Sequence, residues 1–179
     1  MAEELGGATG EGPGSPASAV LGIDPGTAVT GYGVVLPREK GGMALLECGV
    51  IRTTSREPLP LRIRSIFLGI QQIIHRFDPV SVAVEDVFQG KNVRSALTLG
   101  HARGAILLAA ALEDLPIAEY SPREIKKAVV GTGDATKDQV AYMVQRHLRL
   151  KTPPAPADAA DGVAAALCHC LVMGSPIGP

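Results

Sequence analysis

The sequence predicts an α/β domain on a five-stranded mixed sheet, three antiparallel strands followed by two parallel ones, flanked by helices. Three observations predict it. Apolar runs at Val20–Ile23, Gly31–Leu36 and Met43–Arg52 are joined by short, turn-forming connections, which return each strand antiparallel to the last. After Leu61, helical periodicity alternates with short valine- or isoleucine-bearing runs, and a strand reached through a crossover helix lies parallel to an earlier strand. Finally, 179 residues with 46% hydrophobic content suffice for one packed domain and not for two large ones.

Each element has its own signal. Val20–Ile23 ends at Asp24-Pro25-Gly26, which is turn chemistry, and Gly41-Gly42 separates the second and third strands. Ile63, Ile66, Phe67, Ile70, Ile73, Ile74 and Phe77 recur at three and four, an amphipathic helix stopped near Asp78-Pro79. Val80–Val87 reads as a buried strand. Val93 to Asp114 is a helix rich in Ala and Leu, with Gly100 and Gly104 four apart. These glycines allow close approach of another backbone, from the sheet or from a second copy of the chain. Pro116–Tyr120 is the fifth strand. Pro122–Val130 is a short helix with proline in its tolerated first turn. Thr136 with Gln139 forms a capping box for the next helix, and a last helix spans about Ala157 to Met173.

Residues 1–18 are rich in Gly, Pro, Ala and Ser, carry three glutamates and no Lys or Arg, and are expected to be a disordered tail; 175–179 are expected to be a disordered end. The domain is expected over 19–174. Without the three tail glutamates, 17 basic residues face 15 of the 18 acidic ones, so the body is slightly basic. The clustering says more than the total: Arg52, Arg56, Arg62 and Arg64 form one group, Lys91 and Arg94 a second, Arg123, Lys126 and Lys127 a third. No secretory signal pattern precedes the first strand, and no unbroken apolar run of membrane-spanning length is evident. Three sparse cysteines, Cys48, Cys168 and Cys170, suggest a reducing compartment and a cytoplasmic protein. Cys168-His169-Cys170 looks like a metal motif, but residues two apart face different sides of a helix, which favours a structural reading.

The chemistry sits in four acids. Asp24 follows the first strand, Glu85 lies near the end of the fourth in "VAVEDVFQGKN", and Asp158 and Asp161 open the last helix in "PADAADG". A spacing of three places the two helical carboxylates about 60° apart on one face. If strands one and four are neighbours, Asp24 and Glu85 come together, and a carboxylate among valines needs a compensating cation or proton. Four carboxylates in one cleft suit Mg²⁺ or Mn²⁺ rather than Zn²⁺. Two such ions can activate water and stabilise a leaving oxygen in phosphodiester hydrolysis. Each acid also has a simpler role open to it. Asp24 could cap its turn, Asp158 could be a helix N-cap, and Asp161 could favour the helix dipole.

Four stretches, "GIDPGTAVTGYGVV", "VEDVFQGKNVRSALTLGHARG", "YSPREIKKAVVGTGDATKDQV" and "ADAADGVAAALCHC", closely resemble the RuvC family of bacterial Holliday junction resolvases, within the ribonuclease H-like superfamily. The resemblance runs from about Ala19 to Leu171. It implies a ribonuclease H-like three-layer fold. It also implies a homodimer that binds a four-way DNA junction and nicks two opposing strands symmetrically, leaving 5′-phosphate and 3′-hydroxyl ends, in recombination and repair. By position it implies that Asp24, Glu85, Asp158 and Asp161 are the catalytic, metal-binding acids, with two Mg²⁺ ions (or Mn²⁺) per site. It implies that Lys126 and Lys137 contact DNA near the scissile phosphate, that Phe88 stacks on junction bases, and that Lys91, Asn92 and Arg94 belong to the same DNA surface. The branch-migration proteins RuvA and RuvB are the implied partners. The tail before Ala19 is extra, and the basic C-terminal extension of some members is missing.

Three rivals share some of these features. Asp-x-Gly followed by Gly-x-Gly also resembles the phosphate loop of actin-like ATPases, but those need two such domains. A shorter resolvase-like nuclease acting on RNA or other DNA would not need the lysines and Phe88. A non-catalytic junction binder would not need four acids.

Overall fold

The computed structural model describes residues 19–38, 42–86 and 93–174. The expected tail (1–18), the last five residues, and Phe88, Lys91 and Asn92 lie outside the described residues. The element order is β1 (Val20–Asp24), β2 (Val29–Pro37), β3 (Met43–Arg52), α1 (Leu59–Phe77), β4 (Ser81–Glu85), α2 (Val93–Ala111), β5 (Ile117–Tyr120), α3 (Pro122–Val130), α4 (Lys137–His147) and α5 (Ala157–Gly174).

The five strands form one mixed sheet in the order β3-β2-β1-β4-β5. β1 pairs antiparallel with β2 and parallel with β4, and β4 pairs parallel with β5. The two short connections give the antiparallel meander, and the two crossover helices give the parallel strands. Consequently β1, β4 and β5 all end at one edge of the sheet, where β2 begins and β3 ends. Helices cover both faces. Leu21, Ile23, Val34, Val82 and Val84 pack with α1 and α2 on one face. Val20, Val35 and Ala83 pack with α3, α4 and α5 on the other. The result is the three-layer α/β/α arrangement.

Local signals explain the helix ends. Ser121 and Glu124 cap α3 reciprocally, and Thr136 and Gln139 do the same for α4. The latter fixes Lys137 as the first residue of α4. α5 is long and apolar enough to cross a membrane, but half of it is buried inside this domain, where it is the central helix of its face.

Two expectations are corrected. Val80 is not a buried strand residue: it precedes β4 and is 43% exposed. Valine alternation alone does not mark the strand start, because residue 80 still belongs to the turn that leaves α1. Gly100 and Gly104 do not serve close packing on the sheet, since a Cβ at either would meet nothing within 4 Å. They face away from it.

Candidate active site

Asp24 and Glu85 are the last residues of β1 and β4, the two central strands. Parallel pairing sets Ile23 opposite Val84, so the next residues, Asp24 and Glu85, end side by side. The turn after Asp24 is closed by Thr30, whose buried hydroxyl donates to the Gly26 carbonyl at 2.7 Å. Asp24 itself makes no hydrogen bond to that turn among the described residues, which removes the turn-cap reading. Asp158 is the second residue of α5, inside its first turn, rather than its N-cap.

Glycines bring α5 down onto the strands. A Cβ at Gly31 would strike the Asp158 carbonyl, and a Cβ at Gly162 would lie 2.6 Å from the Tyr32 Cα. The glycine pattern after Asp24 therefore seats the helix that carries Asp158 and Asp161, and leaves no need for a phosphate-cradling role.

Electrostatics show the convergence. Burial, together with the charges of Glu85, Asp161 and Asp158, pushes the Asp24 carboxyl up to about 7, while Lys137 opposes the shift. Burial and the Asp161 charge push Glu85 up to about 7 as well, with Lys137 and Lys126 opposing. Lys137 donates to Asp161 at 2.8 Å from an otherwise exposed side chain, and that bond and charge raise its own proton affinity. The structure thus brings together Asp24, Glu85, Asp158, Asp161, Lys126 and Lys137. Arg94 lies in the exposed first turn of α2.

The donor set fits a hard divalent cation by its chemistry: only carboxylate oxygens, two of them on half-buried groups that hold a proton near neutrality. By distance the fit is looser. Among the described residues, no three His, Cys, Asp or Glu side chains stand close enough to hold an ion as they are. Lys137 holds Asp161, so ligation requires that bond to open and the carboxylates to close in.

Residues not singled out from sequence support the site from behind. Arg103 of α2 contacts Glu119 of β5 and lies 3.6 Å from Asp86, the residue after Glu85. Its one sequence signal is a charge in the apolar middle of α2. Tyr120, paired in register with Glu85, shares a 2.8 Å hydrogen bond with buried His169 of α5. Cys168-His169-Cys170 is therefore structural: His169 holds Tyr120, and burial pushes the Cys168 thiol up to about 12 and Cys170 to about 11.

The family model described as crossover junction endodeoxyribonuclease RuvC matches residues 20–169. The RuvC protein of Shewanella amazonensis is 51% identical over 150 residues, spanning 84% of this chain and 85% of its own. That of Pelotomaculum thermopropionicum is 49% identical over 152 residues, spanning 84% and 91%. Among solved structures, Thermus thermophilus RuvC in complex with a Holliday junction substrate superposes with a TM-score of 0.82 at 38% identity, covering 87% of this chain and 94% of the other. A yeast mitochondrial Holliday junction resolvase shares the fold at a TM-score of 0.65 and 14% identity. With four acids gathered at the ends of β1, β4 and α5 and a family match across nearly all the described residues, the chain belongs to the RuvC family of crossover junction endodeoxyribonucleases.

Proposed function

We propose that residues 19–174 form a nuclease domain that resolves four-way DNA junctions by paired, symmetric nicks in recombination and repair. The observation that carries this reading is the convergence of Asp24, Glu85, Asp158 and Asp161, flanked by Lys126 and Lys137, at one edge of the sheet. Family membership supports it, as does the similarity to Thermus thermophilus RuvC, a protein solved in complex with a Holliday junction substrate.

In this reading the four acids hold two Mg²⁺ (or Mn²⁺) ions. When bound, such ions supply Lewis acidity and an activated water for in-line phosphodiester hydrolysis. The chain's own residues do the rest. Asp24 and Glu85, seated at the ends of two central strands, would hold the ions in a fixed place, and the ions rather than the carboxylates would meet the phosphate. Lys137 leaves Asp161 and neutralises a phosphate oxygen, and Lys126 neutralises a second. Phe88 stacks on a base at the opened junction centre, and Lys91, Asn92 and Arg94 follow the adjoining backbone.

Symmetric cutting calls for two sites, hence a homodimer. Support comes from α2. Val93, Leu97, Leu108 and Leu112 are each more than half exposed, and with Gly100 and Gly104 they line one side of the helix. Ala102, Ala105, Ile106 and Ala109 on the opposite side are buried. A face this apolar fits a second copy of the chain. We further propose cytoplasmic action alongside RuvA and RuvB.

Asp24→Asn tests the assignment. The variant should bind a synthetic junction within about threefold of the parent and lose nicking by at least about 10³-fold, as expected when a ligand to the ions is removed while the DNA contacts stay in place. Undiminished cutting by Asp24→Asn removes the acids from the mechanism.

A further inference from the structure

We infer that Arg52, Arg56 and Arg64 form a second phosphate-binding surface, which holds the backbone of a duplex arm beside the cleavage centre. This inference rests on the junction-nuclease reading above. Its basis is a basic patch left unused by the acids and their lysines.

Between residues 52 and 64 the chain carries four arginines and one acid, Glu57. Arg52 ends β3, Arg56 lies in the loop that follows, and Arg64 is in the second turn of α1. All three are exposed, and among the described residues none of them forms an ion pair. The first turn of α1 contains no acid. Unpaired arginines gathered on a surface hold a positive potential that favours polyanions.

Arg62 has a different task. Its Nη2 donates to the Thr27 carbonyl at 2.6 Å and its Nε to the Thr53 hydroxyl at 3.0 Å. Thr53 also donates its hydroxyl to the Thr27 carbonyl and its N–H to the Ala28 carbonyl, the latter at 3.0 Å. The loop bearing Arg52 and Arg56 is thereby fastened to the turn that follows Asp24. A rigid patch fixed to the acid-bearing turn can set a register, which a floppy one cannot.

The placement gives the partner. In the order β3-β2-β1-β4-β5, the strand ending in Arg52 lies two places from the strand ending in Asp24, at the same edge. Two strand spacings are about 10 Å. Lys126 and Lys137 flank the acids from the opposite side, on α3 and α4. The edge therefore reads basic, acidic, basic. One DNA strand advances about 3.4 Å along the duplex axis per phosphate. A strand cut at the acids thus presents phosphates within a few nucleotides of the cut to the arginine patch. Phosphate contacts position a duplex without reading its sequence.

The test compares Arg52→Gln/Arg56→Gln/Arg64→Gln with Arg146→Gln/Arg149→Gln, a control pair of exposed arginines at the far end of α4. Junction affinity is measured by fluorescence anisotropy in EDTA from 50 to 200 mM KCl. Each lost phosphate contact lowers the slope of log K against log[salt] by about 0.9. The patch variant should lose about 2 to 3 from that slope and bind roughly tenfold more weakly or worse at 100 mM. The control pair should match the parent. An unchanged slope in the patch variant, including the case where the patch serves an acidic protein, overturns the inference; so does an equal fall in the control pair. Failure of the parent itself to bind junctions overturns the function and is seen before any variant is made.

Discussion

Asp24 shows what a carboxylate at this strand end costs the fold. Its carboxyl titrates near 7 rather than 3.8 because it is buried and faces three other acids. Such a raised value means that the folded chain binds the proton more tightly than the unfolded chain does. Its contribution to stability is therefore complete below about pH 4 and lost as pH rises through 7; Glu85 behaves likewise from 4.5. The metal-free protein should then lose thermal stability between pH 5 and 8, by scanning calorimetry in EDTA. Asp24→Asn should be more stable than the parent at pH 8, by on the order of 2 kcal/mol, given about 1.4 kcal/mol per tenfold change in proton affinity. A flat profile, or a less stable Asp24→Asn at pH 8, contradicts the burial of these acids. Glu85 stood out in the sequence, because a carboxylate in a valine-rich strand has no packing role, whereas Asp158 and Asp161 stood out only by a spacing that puts them on one face of the last helix. The Lys137–Asp161 pair did not, since it joins residues 24 apart and exists only because α4 packs on α5. Arg103 was hidden for the same reason, as its partners Asp86 and Glu119 come from two different strand ends.

At the scale of elements, α5 decides whether the site exists. Its first turn must lie on β1 and β2, and glycines on both sides permit that approach. Gly162→Ala would force a methyl against the Tyr32 backbone, which cannot give way as a side chain can. Overpacking of this kind costs about 1–3 kcal/mol. The expected outcome is a folded protein with a Tm lower by several degrees and nicking reduced at least about tenfold, because Asp158 and Asp161 are lifted from Asp24. Parent-like nicking by Gly162→Ala would show that the helix seat has slack. The sequence marked α5 through its apolar length, and marked α3 and α4 through their capping residues, because caps and periodicity are local signals. It could not assign the glycines of β2, whose purpose depends on a helix about 130 residues later. The same limit applies to Val80, where alternation continues into a turn that the fold leaves exposed.

For the whole molecule, one sheet edge collects the acids, the lysines and the arginine patch, while the apolar side of α2 lies on the layer opposite α5. A dimer through α2 would join two such edges. Leu108→Glu places a charge at the centre of that side and should turn a dimer into a monomer in sedimentation velocity, with paired nicking falling at least about tenfold while single nicks persist. If Leu108→Glu remains dimeric, α2 is not the contact. The architecture itself followed from the order βββ-α-β-α-β, because short loops and right-handed crossovers leave few other sheets. The assembly did not follow from it, because an apolar helix side reads the same whether a sheet or a second chain covers it.

The most direct measurement is end-mapped cleavage of a synthetic mobile four-way junction beside linear duplex of the same sequence, with Mg²⁺, with Mn²⁺ and in EDTA. The acid cluster at the ends of β1, β4 and α5 predicts paired, symmetric nicks on the junction with either ion, little cutting of duplex, and none in EDTA. Nicking that persists in EDTA, or duplex cut as readily as the junction, would contradict it.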